Sequence, residues 1–213
     1  RAQDGEVLWQ TSKHVFGTYL AYSEKRDILL ESGSADTRRP LSDEPFDKVI
    51  ARAGNSGEVL WSAGFSFPGL IHGDTLIPRY PGNTLDLLTG KPTRLARSSE
   101  DEGVVTGYWK TYGCGAPNAS KHLLLFRSGA AGFADLAHNS GTGNFGGFKS
   151  GCTASLVAAD GVLNAPDYTR TCRCSYQNQT SLGLVHMPDA AVWTAFKGQI
   201  EPAPVPRLGI NLG

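Results

Sequence analysis

A short phrase recurs in the first half of this chain and constrains its fold more than any other feature. It reads DGEVLW at residues 4–9 and SGEVLW at residues 56–61, and a weaker copy, LLTGKPTRL, follows at residues 87–95. In each copy a glycine-centred turn precedes a β-prone segment, because glycine readily supplies the positive φ that a tight hairpin turn requires. This repetition predicts a fold made of successive copies of one supersecondary unit.

The segments before the phrase predict further strands in each unit. DKVIARAG, at residues 47–54, indicates one strand, and residues 69–88 predict three strands separated by turns at Gly73-Asp74 and at residues 81–83. The chain has 26 glycines and 12 prolines and little helical periodicity, which favours an all-β fold with many turns. Four-stranded repeating units predict the blades of a β-propeller.

Composition argues against two classes of partner. The chain has 20 Lys and Arg against 20 Asp and Glu, so its zero net charge gives no electrostatic signal for nucleic acid. The longest apolar run, HLLLF at residues 122–126, is far shorter than the roughly 20 residues of a transmembrane helix. Because the chain begins at Arg1, close to a repeat, we expect a fragment or a processed piece of a longer protein.

The repeated phrases resemble the repeats of PQQ-like (quinoprotein-like) β-propellers over about residues 1–95. From about Gly107 the sequence is more individual. FRSGAAGFADL, SGTGNFGGFKSGC and ADGVLNAPDYTRTCRCSYQNQT resemble the C-terminal part of PQQ-like propellers in exported, multidomain bacterial chains of planctomycete type. The resemblance implies export to the periplasm or cell surface, and other domains in the same full-length chain.

We therefore predict a partial set of four-stranded blades with an elaborated, disulfide-stapled loop region. Residues 1–10 would end one blade, 11–62 would form a blade with an exposed insertion at 31–47, and 63–106 would form the next. Residues 107–198 would form the last blade or blades, and 199–213 a proline-rich linker and the start of a following domain.

Four cysteines lie in the later half, Cys114, Cys152, Cys172 and Cys174. On a strand, Cys172 and Cys174 would lie about 7 Å apart, too far for an unstrained bridge between them. In an exported β-protein this favours two separate disulfides, to Cys114 and Cys152. All three connectivities stay open, with a slight preference for Cys114–Cys174 and Cys152–Cys172. A zinc site and free thiols are the alternatives, although zinc knuckle spacing is missing.

Other motifs give weaker signals. G-x-G-x-x-G at Gly141, Gly143 and Gly146 lacks a convincing following helix, so it predicts a glycine-shaped loop rather than a dinucleotide site. No histidine pair has metal-ligand spacing, and no metal site is predicted. His186 is the histidine we favour slightly, because it follows the cysteine-rich loop on a predicted closing strand.

Two functions are compatible with the sequence. The first is a non-catalytic binding or scaffold propeller with a protein or glycan ligand. The second is a PQQ-dependent-type oxidoreductase or another enzyme, with its site in the loops of residues 138–186. Weak catalytic candidates are Asp167, Arg170 and His186, and weak ligand-binding candidates are Tyr176, Asn178 and Asn144. The resemblance implies PQQ and calcium only through the family name, since no motif matches the family's catalytic residues.

Overall fold

A computed structural model shows an all-β chain. It describes residues 3–12, 19–33, 47–80, 82–93, 113–137, 142–148, 156–166, 181–187 and 189. All regular secondary structure within these ranges is β-strand. The described residues include no helix of the length and apolar character that crossing a membrane requires.

The strands form four antiparallel sheets, A to D, in the order of the sequence. Sheet A contains β1 (Tyr19–Ser23), β2 (Ile28–Ser32), β3 (Lys48–Ala53) and β4 (Val59–Gly64). Sheet B contains β5 (Leu70–His72), β6 (Thr75–Ile77), β7 (Thr84–Asp86) and β8 (Pro92–Thr93). Sheet C contains β9 (Asn118–Ala119), β10 (Leu123–Ser128), β11 (Ala130–Asp135) and β12 (Thr142–Asn144). Sheet D contains β13 (Val157–Ala159), β14 (Val162–Ala165) and β15 (Leu182–Val185).

The sheets are arranged as the blades of a β-propeller. Within each sheet, strands that follow one another in sequence also pair with one another. Between sheets, the first strands come together: β1 contacts β5, β5 contacts β9, and β9 contacts β13. First strands that meet on one side of successive meander sheets are the inner strands of propeller blades. The predicted fold class is therefore confirmed.

Apolar residues fill the space between each pair of neighbouring sheets. The three interfaces, A–B, B–C and C–D, each contain their own cluster, and burial of a large aliphatic side chain stabilises by about 1.5–3 kcal/mol. The buried members between A and B include Leu30, Val49, Leu76 and Leu87; between B and C, Ile77, Leu124 and Phe126; between C and D, Leu125, Phe148, Leu156 and Ala165.

The repeated tryptophan joins one unit to the next. The Trp61 ring on β4 covers Gly90 in the β7–β8 turn, and its Nε1 donates a hydrogen bond to the Leu87 carbonyl oxygen at 2.9 Å. Trp9 makes the equivalent contact with the β3–β4 turn: its ring covers Gly57, and its Nε1 donates to the Gly54 oxygen at 2.6 Å. In both cases the accepting carbonyl lies three residues before the covered glycine. The two sequence copies thus occupy equivalent positions in the structure.

The predicted insertion at residues 31–47 begins too early. Glu31 and Ser32 are the last residues of β2, and they are only 3% and 0% exposed. Glu31 is buried because its carboxylate accepts a hydrogen bond from the Arg52 guanidinium at 2.9 Å, and Arg52 is buried too. The Ser32 hydroxyl donates to the Lys48 carbonyl oxygen at 2.7 Å. Gly33 is buried and Asp47 is exposed, and residues 34–46 lie outside the described residues.

The connections between first and second strands lie at one end of the sheets and link neighbouring sheets. Arg26, in the β1–β2 turn, forms a two-pronged ion pair with Asp74 in the β5–β6 turn, with Nε donating to Oδ1 at 2.8 Å and Nη2 bonding Oδ2. Nε2 of His72 lies 3.2 Å from the Lys121 carbonyl oxygen, in the β9–β10 connection. We call this the inner-turn end of the sheets.

Candidate functional site

A cavity of about 510 Å³ lies between sheets C and D at the inner-turn end. We call it the C–D groove. Its walls are formed by sheets C and D, which pack against each other through the apolar cluster between them. The packing of the two sheets therefore fixes the positions of the lining residues. Apolar lining residues include Leu123, Phe145, Ala158, Val162, Leu163 and Leu184. The polar lining residues are Ser120, Lys121, His122, Asp160 and His186.

The wall from sheet D is a short, regular hairpin. A two-residue turn, Asp160-Gly161, joins β13 to β14, and its φ values of 49° and 78° suit the turn type that matches strand twist. Leu163 pairs with Ala158 on one side and with Leu184 on the other. Because directly paired residues point to the same face of a sheet, these three side chains form one apolar surface towards sheet C.

The opposite wall is the connection between β9 and β10. The Ser120 hydroxyl accepts a hydrogen bond from the Leu123 amide at 3.1 Å, and the Ser120 amide donates to the Leu123 oxygen at 2.9 Å. The contact of His72 with the Lys121 oxygen holds the same connection against sheet B. The backbone of this wall is therefore fixed, while the residues Lys121 and His122 remain exposed.

Phe145 supplies the aromatic part of the groove. Its amide donates to the Ala131 oxygen at 2.8 Å, and its ring centroid lies 4.6 Å from that of Phe133. The Phe133 ring in turn lies over Gly143, where an added Cβ would come within 2.5 Å of the ring. Phe145 is 43% exposed, so much of its ring remains available for contact.

The rim carries charges that have no partner nearby in the described part of the chain. Lys121 stands on the sheet C wall and Asp160 on the sheet D wall, and both are exposed. Neither takes part in an ion pair with another described residue. Among the described residues no group of three or more His, Cys, Asp or Glu side chains could hold a metal ion.

The sequence candidates that the structure describes have different positions. His186 follows β15 and lines the C–D groove. Asn144 ends β12, where its Nδ2 donates to the Ser128 oxygen at 3.0 Å and its Oδ1 accepts from the Gly146 amide at 2.6 Å. Its side chain thus holds the glycine-shaped turn predicted there. Cys114 is exposed and its sulfur is free in the structure.

The other candidates lie outside the described residues: Asp167, Arg170, Tyr176, Asn178, Cys152, Cys172 and Cys174. The chain leaves sheet D after β14 at Ala165 and returns at Leu182 in β15, and these two residues pair with each other. That pair is at the end of the hairpin opposite the Asp160-Gly161 turn. His186 therefore lies at the other end of sheet D from the points where the cysteine-rich segment is attached.

Sequence reasoning did not single out Lys121, His122 or Phe145 as site residues. Each follows or precedes a strand in an ordinary polar or glycine-rich phrase, and their proximity to His186 depends on how two sheets pack. The one local signal is that Lys121 and His122 immediately precede the apolar run that forms β10.

The sheets, their sequence-ordered contacts and the groove between two of them define a β-propeller module with a candidate binding site at one end. No protein-family model matches this chain, and no curated protein matches it. Among solved structures, the crystal structure of BamB from Moraxella catarrhalis is similar, with a TM-score of 0.43 and 17% sequence identity. The match covers 68% of this chain and 42% of that chain, so this chain spans less than half of the length of that structure.

Proposed function

We propose that this chain is a non-catalytic β-propeller module that binds a segment of another protein in the C–D groove. The observation that carries the proposal is the groove itself: about 510 Å³, with a polar rim and with a floor formed by the aliphatic side chains of Ala158, Leu163 and Leu184 from sheet D. Pockets of this size that are mainly apolar, with a few convergent polar groups, are the usual form of a binding site. The fixed backbone on both walls would let the groove bind with little ordering of its own.

The floor favours a protein segment over a glycan. A sugar presents hydroxyl groups, and a buried hydroxyl without a hydrogen-bond partner is unfavourable by about 1–3 kcal/mol. Leu163, Leu184 and Ala158 offer no such partner, because their side chains are wholly aliphatic. An apolar side chain from another protein would instead gain from burial on the same surface.

A groove-filling variant tests the proposal. Ala158→Leu enlarges a side chain on the floor without removing a core residue, and Val59→Ser, on 50%-exposed Val59 of sheet A, is the matched control. The probe is a library of capped nonapeptides with a central Leu, Ile, Val, Met or Phe, offered to the full chain. We expect the wild type and Val59→Ser to retain a subset of peptides and Ala158→Leu to lose it. Retention that is unchanged in Ala158→Leu would contradict the proposal.

Export and attachment to further domains belong to the same proposal. Its support is the resemblance of residues from about 107 onward and the four cysteines, which suit an oxidising compartment. The non-catalytic part has its own test, in which the chain is incubated with PQQ and calcium. A quinone absorption band together with dye-linked alcohol oxidation would overturn it.

A further inference from the structure

We infer that the segment bound in the C–D groove carries an acidic and a basic residue on opposite sides of its apolar anchor, an inference that rests on the proposed function. Lys121 is on the wall from sheet C, and Asp160 is on the wall from sheet D. The two walls therefore present opposite charges across one apolar floor.

These two charges are available to a ligand. Both residues are exposed, and neither is neutralised by an ion pair with another described residue. Arg26 and Asp74, at the same end of the molecule but in the turns of sheets A and B, already neutralise each other. Lys121 and Asp160 are thus the rim charges that would select the charge order of a bound segment.

Opposite charges on the two walls select the order of the charged residues in a bound segment as well as their identity. For a segment bound in a given chain direction, the order that puts its acid towards Lys121 and its base towards Asp160 makes two attractive contacts, whereas the reversed order makes two like-charge contacts. Exposed pairs are individually weak, so we expect a preference of about fivefold between the two orders at low salt. Screening should reduce that preference at an ionic strength of about 0.5 M.

The remaining polar groups suit the backbone of such a segment. His122 stands beside Lys121, and His186 lines the sheet D side of the groove. An imidazole ring offers a nitrogen donor or acceptor to a peptide group. Ser120 contributes less, because its hydroxyl is already used by the His122 and Leu123 amides.

Three matched peptide libraries test the inference on the full chain. All are capped nonapeptides with a central apolar residue; one carries Glu before and Lys after it, the second has the reverse order, and the third carries Gln at both positions. The wild type should retain one charged order about fivefold better than the other, with the Gln library in between. The double variant Lys121→Glu/Asp160→Lys should prefer the opposite order.

A second variant controls for damage to the β13–β14 turn. Asp160 has a φ of 49°, a left-handed conformation that Asn tolerates better than Lys does. Lys121→Gln/Asp160→Asn should therefore keep the fold, with an unchanged unfolding midpoint, and lose the preference.

The outcomes separate this inference from the proposed function. Equal retention of both charged orders by the wild type, with loss of both in Ala158→Leu, overturns the inference and leaves the proposed function standing. A preference that survives in Lys121→Gln/Asp160→Asn also overturns the inference. Failure of all three libraries to bind, or binding unaffected by Ala158→Leu, overturns the proposed function and the inference with it.

Discussion

The contact between a tryptophan ring and a glycine explains why both residue types recur in the repeated phrase. Gly57 and Gly90 have φ values of 73° and 66°, a conformation that other residues adopt only at a cost. Each is also covered by a tryptophan ring at a distance that leaves no room for a Cβ atom. Glycine is thus required twice over, by the turn and by the ring.

Gly90→Ala should destabilise the chain by about 2–4 kcal/mol, the sum of left-handed strain and of displacing the Trp61 ring. Gly161→Ala is the matched control, because Gly161 has a φ of 78° and no atom lies within 4 Å of the position that its Cβ would take. We expect it to destabilise by about 1–2 kcal/mol. Urea denaturation of both variants measures the difference.

The same experiment in a Trp61→Ala background isolates the contribution of the Trp61 ring to the destabilisation. There the effect of Gly90→Ala should fall to that of Gly161→Ala, since the obstructing atoms are gone. An effect of Gly90→Ala no larger than that of Gly161→Ala in the wild type would disprove the steric part of the explanation.

The repeated phrase predicted part of the structure at the residue scale. The glycine-centred turns and the repeated supersecondary unit followed from the recurring phrase. The carbonyl groups that accept from the two rings, on Gly54 and Leu87, were not predictable. They come from the neighbouring unit, and a single phrase does not state which unit lies beside it.

At the scale of elements, β2 and β3 share a buried ion pair. Arg52 and Glu31 have side chains only 8% and 4% exposed, and Arg52 also donates from Nη1 to the Gly57 oxygen at 3.1 Å. The guanidinium therefore joins the strands of sheet A to the turn that Trp9 covers. A polar stretch of sequence led us to predict exposure at Glu31. The register of β2 and β3, which pairs Glu31 with Ile50 and so places Arg52 diagonally across from it, cannot be seen in the sequence.

Arg52→Met should destabilise by about 3–5 kcal/mol, because it leaves the Glu31 carboxylate buried without its partner. The double variant Glu31→Leu/Arg52→Met removes both charges and should be more stable than Arg52→Met alone. Urea denaturation decides this prediction. A double variant as unstable as the sum of the two single variants would show that the charges are not coupled.

The ion pair between the turns of sheets A and B should make stability depend on pH. The hydrogen bond from Arg26 lowers the pKa of the Asp74 carboxyl below its ordinary value, with further lowering by the Arg26 charge and an opposing effect of burial. An unfolded aspartate titrates near about 3.9. The unfolded state therefore takes up the proton first as the pH falls, and the stabilisation is lost in acid.

The stability difference between the wild type and Asp74→Asn should be constant above about pH 5 and should shrink below about pH 4. It should be small, since both side chains are about one-third exposed, at 34% and 38%. In an Arg26→Gln background the same substitution should show a weaker dependence on pH. A difference that grows in acid would contradict the assignment.

At the scale of the whole molecule, the described residues that flank the cysteine-containing segments lie at one end of sheets C and D. Cys114 lies close to Arg127 and the end of β10, since its neighbour Gly113 approaches the Arg127 backbone. Cys152 precedes β13, and Cys172 and Cys174 lie between Ala165 and Leu182, which pair at the same end of sheet D. The C–D groove is at the other end of sheet D from Ala165 and Leu182.

Two disulfides remain our prediction for these cysteines. Intact mass after alkylation of the denatured chain should show no alkylated thiols without reductant and four with it. The structure has a free Cys114 sulfur, and the predicted partners lie outside the described residues. Four alkylated thiols without reductant would refute both disulfides.

The fold was more predictable than the site for a physical reason. Turns and strands depend on neighbouring residues, so the turn at Gly73-Asp74 was visible in the sequence. The C–D groove combines residues 120–123, 145, 158–163 and 184–186, which become neighbours only when two sheets pack. Of its rim, only His186 was a site candidate, and for a different reason.

The tryptophan contact has a consequence for how such a gene could change in length. A unit that contains a covered glycine turn and, four residues later, a tryptophan carries both halves of the contact, so a duplicated copy would fit between two such units without new residues. The third phrase has Arg94 where the others have Trp9 and Trp61. A copy inserted upstream of the third phrase would therefore meet a tryptophan for its glycine turn, whereas a copy inserted directly after that phrase would not.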